Sequence, residues 1–356
     1  GYAGLQQVRD YLIANGDEVI LVDNGDAIQG EPIGALSKGE AVIELMNAVG
    51  YELAIPGSHE FDYGMDHFLD LAEQAEFTYL SANFNHDGDL IFAPYVIREL
   101  AGRQVAFVGV TTPKTVTTSM PRYFQNVNGE FVYNFCQDMT GEALYEAVQR
   151  AVDDAREEGA EYVVVMAQLG IEESCHPWTS ADLIENTSGI DALLDGHSHD
   201  SEQLVIKNKD GKDVYRSACG TKLNRIGYCR ISADGTISVG VFSWNNRIPA
   251  PELLGIENEM TAEVEKATGA LDEKLSVCQH VRQLAHLLGV GDGLVEGDGE
   301  VVGAEDGQVG VVALELLVGV AVHHGQAVVV VLLGHEAARV LAEGADLVLE
   351  GGGVAD

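Results

Sequence analysis

Alternating helix and strand patterns in the first 200 residues constrain the fold more than any other feature of the chain. Apolar residues recur at helical spacing in "EAVIELMNAVG" and "GEALYEAVQRAVDDAREEG", and short apolar runs typical of buried strands occur in "YELAIPG" and "EYVVVMAQLG". From about Lys207 the pattern changes to strands joined by Asp-Gly turns. The sequence therefore predicts a layered α/β fold with a hairpin-rich end.

Polar residues follow several of the predicted strands. Ligands of open α/β sheets lie beyond the carboxyl ends of the strands, so we expect these polar loops to converge on one rim. Gly57 precedes one of the loops and is predicted to permit a tight turn. The candidate residues are Asp23 and Asp26, His59 and Asp62, Gln168, and Asp195, His197, His199 and Asp200.

Carboxylates and imidazoles together indicate a metal site. His197 and His199 alternate along an extended chain, which places both side chains on one face. The mixture of ligand types suits Zn, Mn or Fe. A single histidine after a strand is more often a structural residue. Three polar loops that each follow a strand, in this order, favour a metal site instead.

Charge and cysteine content exclude several classes of protein. The formal net charge of −37 disfavours nucleic acid or anionic lipid as a partner. The five cysteines form no C-x-x-C pair, so neither a disulfide framework nor a cysteine zinc site is expected. Polar residues interrupt the longest apolar stretch, 309–334, so we predict no membrane span. The first residues open into a helical pattern, and no signal peptide is predicted in this chain.

The last part of the chain has an unusual composition. Residues 279–356 contain only nine residue types, each of which has codons that begin with G or C, and no aromatic follows Trp244. A native Val/Gly/Ala-rich domain is one interpretation, and a reading-frame error is the one that we favour. We therefore predict three parts: a domain that carries the candidate site over 1–254, a linker helix over 255–278 and an aberrant low-complexity tail over 279–356. Limited proteolysis should remove the tail.

Four motifs in order give the chain a resemblance to a known family: "GDAIQGEP", "GSHEFDYGMD", "LSANF" and "DGHSHD". Residues 1–276 resemble the N-terminal calcineurin-like metallophosphoesterase domain of the 5′-nucleotidases, including the bacterial 5′-nucleotidase/2′,3′-cyclic phosphodiesterases. The resemblance implies a four-layer α-β-β-α sandwich and a phosphoric ester hydrolase of nucleotide catabolism. It also implies two divalent metal ions, a nucleotide or other phosphate ester as substrate, and a secreted, cell-wall or periplasmic location.

The resemblance also implies roles for individual residues. Asp26 matches the carboxylate that bridges the two metals, and His197 and His199 match one ligand of each metal. His59 matches a histidine that acts on the scissile phosphate, and Asp62 matches the carboxylate that orients it. These roles agree with what charge stabilisation and proton donation in phosphoryl transfer require.

Some positions depart from the family's pattern. Ser58 stands where the family has a ligand asparagine, Gln168 stands where it has a ligand histidine, and the Asp-x-His pair that opens its motif set is missing. The resemblance suggests Asn83, within "LSANF", as a substrate-binding residue, and no aromatic is present beyond Trp244 to stack on a base. We therefore expect impaired metal-dependent hydrolysis of nucleotide phosphate esters. The alternative is a non-catalytic module that binds a nucleotide or a partner.

Overall fold

A computed structural model describes residues 1–243, 316–323 and 326–333 of the chain. Its α-helices are α1 (Tyr2–Ala14), α2 (Pro32–Ser37), α3 (Glu40–Val49), α4 (Met65–Gln74), α5 (Thr115–Thr118), α6 (Glu142–Glu157) and α7 (Ser180–Asn186). Its strands are β1 (Val22–Asp23), β2 (Leu53–Ala54), β3 (Thr78–Tyr79), β4 (Asn85–His86), β5 (Asp89–Leu90), β6 (Tyr95–Leu100), β7 (Arg103–Thr111), β8 (Tyr133–Asn134), β9 (Tyr162–Gln168), β10 (Ala192–Asp195), β11 (Gln203–Lys207), β12 (Asp213–Ala218), β13 (Arg225–Ile231), β14 (Ile237–Ser243), β15 (Leu316–His323) and β16 (Gln326–Leu333).

Two sheets form the centre of the first 243 residues. A six-stranded sheet has the order β11-β12-β10-β9-β7-β6, and its four central strands run parallel. A smaller parallel sheet has the order β1-β2-β3. Helices connect most of the consecutive parallel strands, as is usual for parallel pairing, whereas β10 is joined to β12 through the antiparallel strand β11.

The two faces of the large sheet are buried against different layers. On β7 and β9, Val105 and Val164 belong to an apolar cluster that includes Leu53 and Leu80 of the small-sheet region. The adjacent residues Ala106 and Val163 point to the other face, because side chains alternate along a strand. That second face packs against helices α6 and α7.

The small sheet is covered by helices on its outer side. Its apolar cluster contains Leu5 of α1, Val42 of α3 and Phe68 of α4, together with Tyr79 of β3. The order of layers is therefore helix, small sheet, large sheet, helix, and the predicted α-β-β-α architecture is confirmed.

The structure differs from the predicted elements in its smaller parts. The segment "VYRSACG" forms β12, which pairs with β11 as a hairpin across the predicted Asp-Gly turn and also joins the large sheet beside β10, a pairing that the turn pattern did not indicate. The two-residue strands β4, β5 and β8 carry no recognisable pattern. Helix α7 was also not predicted, although Thr179 and Asp182 form a capping box at its start.

The chain divides into two units between residues 261 and 262. Within the second unit, β15 and β16 pair as an antiparallel hairpin from Leu316↔Leu333 to His323↔Gln326. The predicted helix over 255–278 lies outside the described residues, as does most of the 279–356 tail, so these domain boundaries stay predictions. None of the described helices combines the length and apolar character needed to cross a membrane.

Phe61 connects the core to the loop that follows β2. It is fully buried, and its ring centroid lies 5.0–5.5 Å from those of four other aromatic rings. Edge-to-face contacts of this kind add to the free energy of burial. The four rings belong to Phe68, Phe84, Phe124 and Phe135.

Replacing Phe61 by alanine should lower the free energy of unfolding by about 3–5 kcal/mol, because it leaves a cavity among these rings. Chemical denaturation measures the change. The matched control is Phe131→Ala, since the Phe131 side chain is exposed and its loss should cost less than about 0.5 kcal/mol. Equal costs for the two variants would show that Phe61 is not central to the core.

Candidate functional site

The loops that follow β1 and β2 lie in direct contact. A Cβ atom on Gly25 would come within 2.6 Å of the backbone nitrogen of Gly57, and one on Gly57 would collide with Asp26. Gly57 was predicted to permit a tight turn, but it has no positive φ. The glycine is instead required by the close approach of the two loops.

A buried carboxylate holds these loops together. Glu60 accepts hydrogen bonds from the backbone N–H groups of Asp26 (2.8 Å), Ala27 (2.8 Å) and Gly57 (2.6 Å). It points inward because it lies in the short 3-10 turn over residues 59–61, next to the buried Phe61. Sequence reasoning missed Glu60, since a glutamate between two site residues gives no sign of which way it faces.

Asp26 is linked to the His59–Asp62 pair. The backbone N–H of His59 donates to Asp26 Oδ1 at 2.8 Å, and His59 Nδ1 lies 2.7 Å from Asp62 Oδ2. Gln29 Nε2 also donates to Asp62 Oδ2, at 3.3 Å. The predicted pairing of His59 with Asp62 therefore agrees with the geometry.

The charges of this region shift several pKa values. The hydrogen bond to Asp62, reinforced by nearby carboxylates and opposed by partial burial, raises the pKa of His59 to about 9. Burial and then the charge of Asp26 raise the pKa of Glu60 to about 8. Desolvation is also the main cause that raises the pKa of Asp23 to about 7. At neutral pH the His59 ring is therefore a charged imidazolium. The neighbouring carboxyl groups of Asp23 and Glu60 lose their protons less readily than exposed carboxyl groups do.

Gln168, at the end of β9, joins Asp26 to His197. Its Nε2 donates to Asp26 Oδ2 and lies 3.1 Å from His197 Nδ1. The Gln168 side chain is fully buried, and its Oε1 has no hydrogen-bond partner. Burial is the main cause that lowers the pKa of His197, which favours a neutral ring that can accept the Gln168 N–H.

Ser58 adds a weaker link to the same group. It is buried, and its hydroxyl donates to Asp26 Oδ1 at 3.5 Å. Its backbone carbonyl accepts a hydrogen bond from Ser119 Oγ at 2.5 Å, which ties the loop to the segment after α5. The short side chain brings its oxygen only to the edge of hydrogen-bonding distance.

Strained backbone marks the same loops. Asp26, His197 and His199 adopt positive φ values of 64°, 74° and 54°. Non-glycine residues in this region cost about 1–3 kcal/mol each and persist where the surroundings over-determine them. Among residues 1–243, the hydrogen-bonded group contains Asp26, His59 and His197, whereas the exposed His199 lies outside it.

Asn83 is fully buried and fully hydrogen-bonded. Its Nδ2 donates to the carbonyls of Thr111 (2.7 Å) and Phe135 (2.8 Å), and its Oδ1 accepts from Thr111 N–H and from Ser81 Oγ. Both donors and both acceptors of the amide are used. This geometry disfavours the predicted substrate-binding role and gives Asn83 an internal structural one.

The residues around Gln168 include donors that could hold a divalent cation. Within the described part of the chain, no three His, Cys, Asp or Glu side chains are grouped as metal ligands. However, the orphaned Gln168 Oε1 would turn toward Asp26 and His197 if the amide were reversed, an orientation that geometry leaves open. Carboxylate, amide oxygen and imidazole together form a donor set for a divalent cation.

Comparison with known proteins identifies the family of the chain. The family model for calcineurin-like phosphoesterases matches residues 1–201. The chain belongs to the calcineurin-like phosphoesterase family. Its members are phosphoric ester hydrolases and normally use divalent metals, so the predicted family and enzyme class are confirmed.

Curated relatives of this phosphoesterase include nucleotidases. It is 30% identical over 206 residues to the trifunctional nucleotide phosphoesterase protein YfkN of Bacillus subtilis (51% of this chain, 13% of that protein). It is 29% identical over 238 residues to the 2′,3′-cyclic-nucleotide 2′-phosphodiesterase/3′-nucleotidase of Salmonella typhimurium (59% and 34%). A probable 5′-nucleotidase of Treponema pallidum is 30% identical over 204 residues (56% and 31%). The chain thus spans about a third or less of the length of these relatives.

Solved structures share the fold of the phosphoesterase. A 5′-nucleotidase precursor from Thermus thermophilus superposes with a TM-score of 0.59 at 24% identity, over 76% of this chain and 54% of that one. YfkN from Bacillus subtilis gives a TM-score of 0.58 at 22% identity, over 75% and 89%. At these identities the likeness establishes the architecture alone.

Replacing Asp62 by asparagine should lower the pKa of His59 from about 9 toward its ordinary value of 6.5, because the charged hydrogen-bond partner is the main cause of the shift. The pH dependence of the His59 ring signals in NMR spectra measures this pKa. Asp66→Asn, which removes a carboxylate from the first turn of α4, is the control. A pKa near 9 in the Asp62→Asn variant would rule out the pair as its cause.

Stability of the metal-free protein should fall as the pH rises from about 4 to about 7. Over this range the folded protein keeps a proton on Asp23 that the unfolded chain has released, since the folded pKa is about 7 and the ordinary value 3.8. Asp23→Asn should remove on the order of 2–4 kcal/mol of this loss. Chemical denaturation across this pH range, in the presence of a chelator, measures the free energy of unfolding of both proteins.

In the Asp23→Asn variant, the side-chain oxygen of the asparagine can still accept the hydrogen bond that Gly25 N–H donates to Asp23 Oδ1 at 2.9 Å in the original chain. The exposed residue Asp17 provides the control variant Asp17→Asn, which should leave the pH dependence unchanged. The same slope in Asp23→Asn and in the original chain would contradict a protonated Asp23.

Proposed function

We propose that this chain hydrolyses phosphate monoesters of nucleotides, and that it does so with reduced competence. The observation that carries the proposal is the His59–Asp62 pair, with 2.7 Å between Nδ1 and Oδ2, next to the Asp26 carboxylate. The nucleotidase activities in the names of its relatives support nucleotides as the substrate class.

His59 is the proposed proton donor. Its Nδ1 is engaged by Asp62, so Nε2 carries the proton for a phosphate oxygen, and a pKa of about 9 keeps the ring charged at neutral pH. When water attacks phosphorus and the ester bond breaks, the Nε2 proton moves to the leaving oxygen of the nucleoside. The proton lost by the attacking water restores the imidazolium, and the products are inorganic phosphate and an alcohol.

Asp26, Gln168 and His197 are the proposed ligands of a divalent cation. A cation bound there would offset the charge of the phosphate and lower the pKa of a water molecule. A positive charge at this position would also favour the binding of an anionic phosphate ester beside the Asp26 carboxylate. Ser58 and His199 complete the proposed ligands, and His199 belongs to a second, weaker position.

The reduced competence follows from the neutral residues of this set. The hydroxyl of Ser58 is a poor ligand and lies 3.5 Å from Asp26 Oδ1. The amide of Gln168 offers a carbonyl oxygen where an imidazole would bind more strongly. Incomplete ligand sets lose metal affinity steeply, since even outer partners are worth about 10–100-fold.

One observation favours a second candidate, a non-catalytic nucleotide- or partner-binding module. The Gln168 amide already bridges Asp26 and His197 with its own N–H groups. If this bridge is retained when ligand binds, it replaces the cation and leaves a site that binds without turnover. We also propose an extracellular, cell-wall or periplasmic location, which the relatives named as snake venom 5′-nucleotidases support.

The test combines Mn²⁺ binding by titration calorimetry with hydrolysis of AMP and of an aryl phosphate. Ser58→Asn together with Gln168→His should raise Mn²⁺ affinity at least about tenfold and increase the rate. In that background His59→Ala should lower kcat by about 10²–10⁴-fold and leave Mn²⁺ affinity unchanged.

His67→Ala is the matched control, because His67 lies on α4 and bonds to the carbonyl of Lys38 (2.7 Å). This variant should alter neither the Mn²⁺ affinity nor kcat. Loss of Mn²⁺ binding in His59→Ala would contradict the role of His59. Binding of AMP without hydrolysis in every variant would favour the non-catalytic module.

A further inference from the structure

Arg216 lies inside the protein with its charge fully enclosed. It is on β12, opposite Leu193 of the neighbouring strand β10, and its side chain has no exposure to solvent. A buried guanidinium must be paired, and such ion pairs often add little to stability compared with apolar residues of the same size. The pairing of Arg216 therefore calls for an explanation other than stability.

The first partner of Arg216 lies at the start of the loop 195–200. Asp195 Oδ2 accepts from Arg216 Nε at 3.1 Å and from Nη2 at 2.8 Å. The other oxygen, Oδ1, accepts from the backbone N–H groups of Leu169, Gly170 and Gly196. This end of the loop is thus fixed to the end of β9, immediately after Gln168.

The second partner lies at the far end of the same loop. Asp200 Oδ1 accepts from Arg216 Nη2 at 2.9 Å, and Asp200 Oδ2 accepts from Nη1. Between the two ends, the hydroxyl of Ser198 accepts from Ile171 N–H at 2.9 Å. One planar group therefore spans the loop that carries His197 and His199 in their positive-φ conformations.

We propose that Arg216 is a positioning residue, which holds the loop 195–200 closed by binding Asp195 and Asp200 at once and so fixes where His197 and His199 lie. The importance of Arg216 for catalysis rests on the proposed function, but its effect on the conformation of the loop 195–200 does not. A lysine cannot replace it, since a single ammonium cannot present paired donors to two carboxylates.

The experiment records ¹H–¹³C spectra of the full chain labelled at histidine Cε1, without metal, alongside AMP hydrolysis with Mn²⁺. In Asp200→Ala and in Arg216→Lys, the signals of His197 and His199 should move or split, and kcat/KM should fall by about 100-fold, the scale expected for displaced reacting groups. Asp200→Asn keeps one acceptor oxygen and should give smaller changes. Asp200→Ala decides the question if Arg216→Lys fails to fold.

The matched control is Arg156→Lys, which weakens an ion pair with Asp191 (2.6 Å) next to the start of β10, at the end away from the loop. It should leave both histidine signals in place. Signals in Asp200→Ala that match those of the original chain would overturn the proposal. An original chain that fails to hydrolyse AMP but shows the predicted spectral changes would refute the proposed function and leave the positioning role intact.

Discussion

The three hydrogen bonds that Glu60 accepts from backbone N–H groups are the interaction on which the rest of the site depends. They join the loop after β1 to the loop after β2, and the absence of side chains at Gly25 and Gly57 lets those loops touch. Asp26 is held in a positive-φ conformation by this junction and in turn binds the backbone N–H of His59. The fold thus brings a carboxylate and an imidazole together through a residue that is itself buried.

The electrostatic consequence is a region that attracts positive charge. Burial, reinforced by the charge of Asp26, raises the pKa values of Asp23 and Glu60, and the hydrogen bond to Asp62 raises that of His59. Gln168 supplies only N–H dipoles to Asp26 and leaves its carbonyl oxygen unpaired. A cation beside Asp26 would offset the charge there and give the Gln168 carbonyl oxygen a partner, and these two conditions support the proposed metal position.

Much of the fold and part of the site could be predicted from sequence. Helical and strand periodicity indicated the layers, and the spacing of His59 and Asp62 suited a local pair because one turn brings residues three apart together. The contacts of Glu60 with Asp26 and Ala27 join residues more than thirty positions apart, and only the folded chain reveals them. Sequence likewise placed Asp195 and Asp200 beside the histidines but gave no sign that Arg216 joins them. The exposure of His199 depends on the loop's backbone conformation, which its motif does not specify.

Anomalous diffraction from crystals grown with Mn²⁺ and tungstate, a tetrahedral stand-in for phosphate, tests the central claim most directly. The account predicts a manganese peak bound by Asp26 and His197, with the Gln168 carbonyl oxygen turned toward it, and a tungsten peak within hydrogen-bonding distance of the His59 ring. Tungstate bound away from His59, or no manganese beside Asp26 while the Gln168 N–H bridge stays in place, would contradict it.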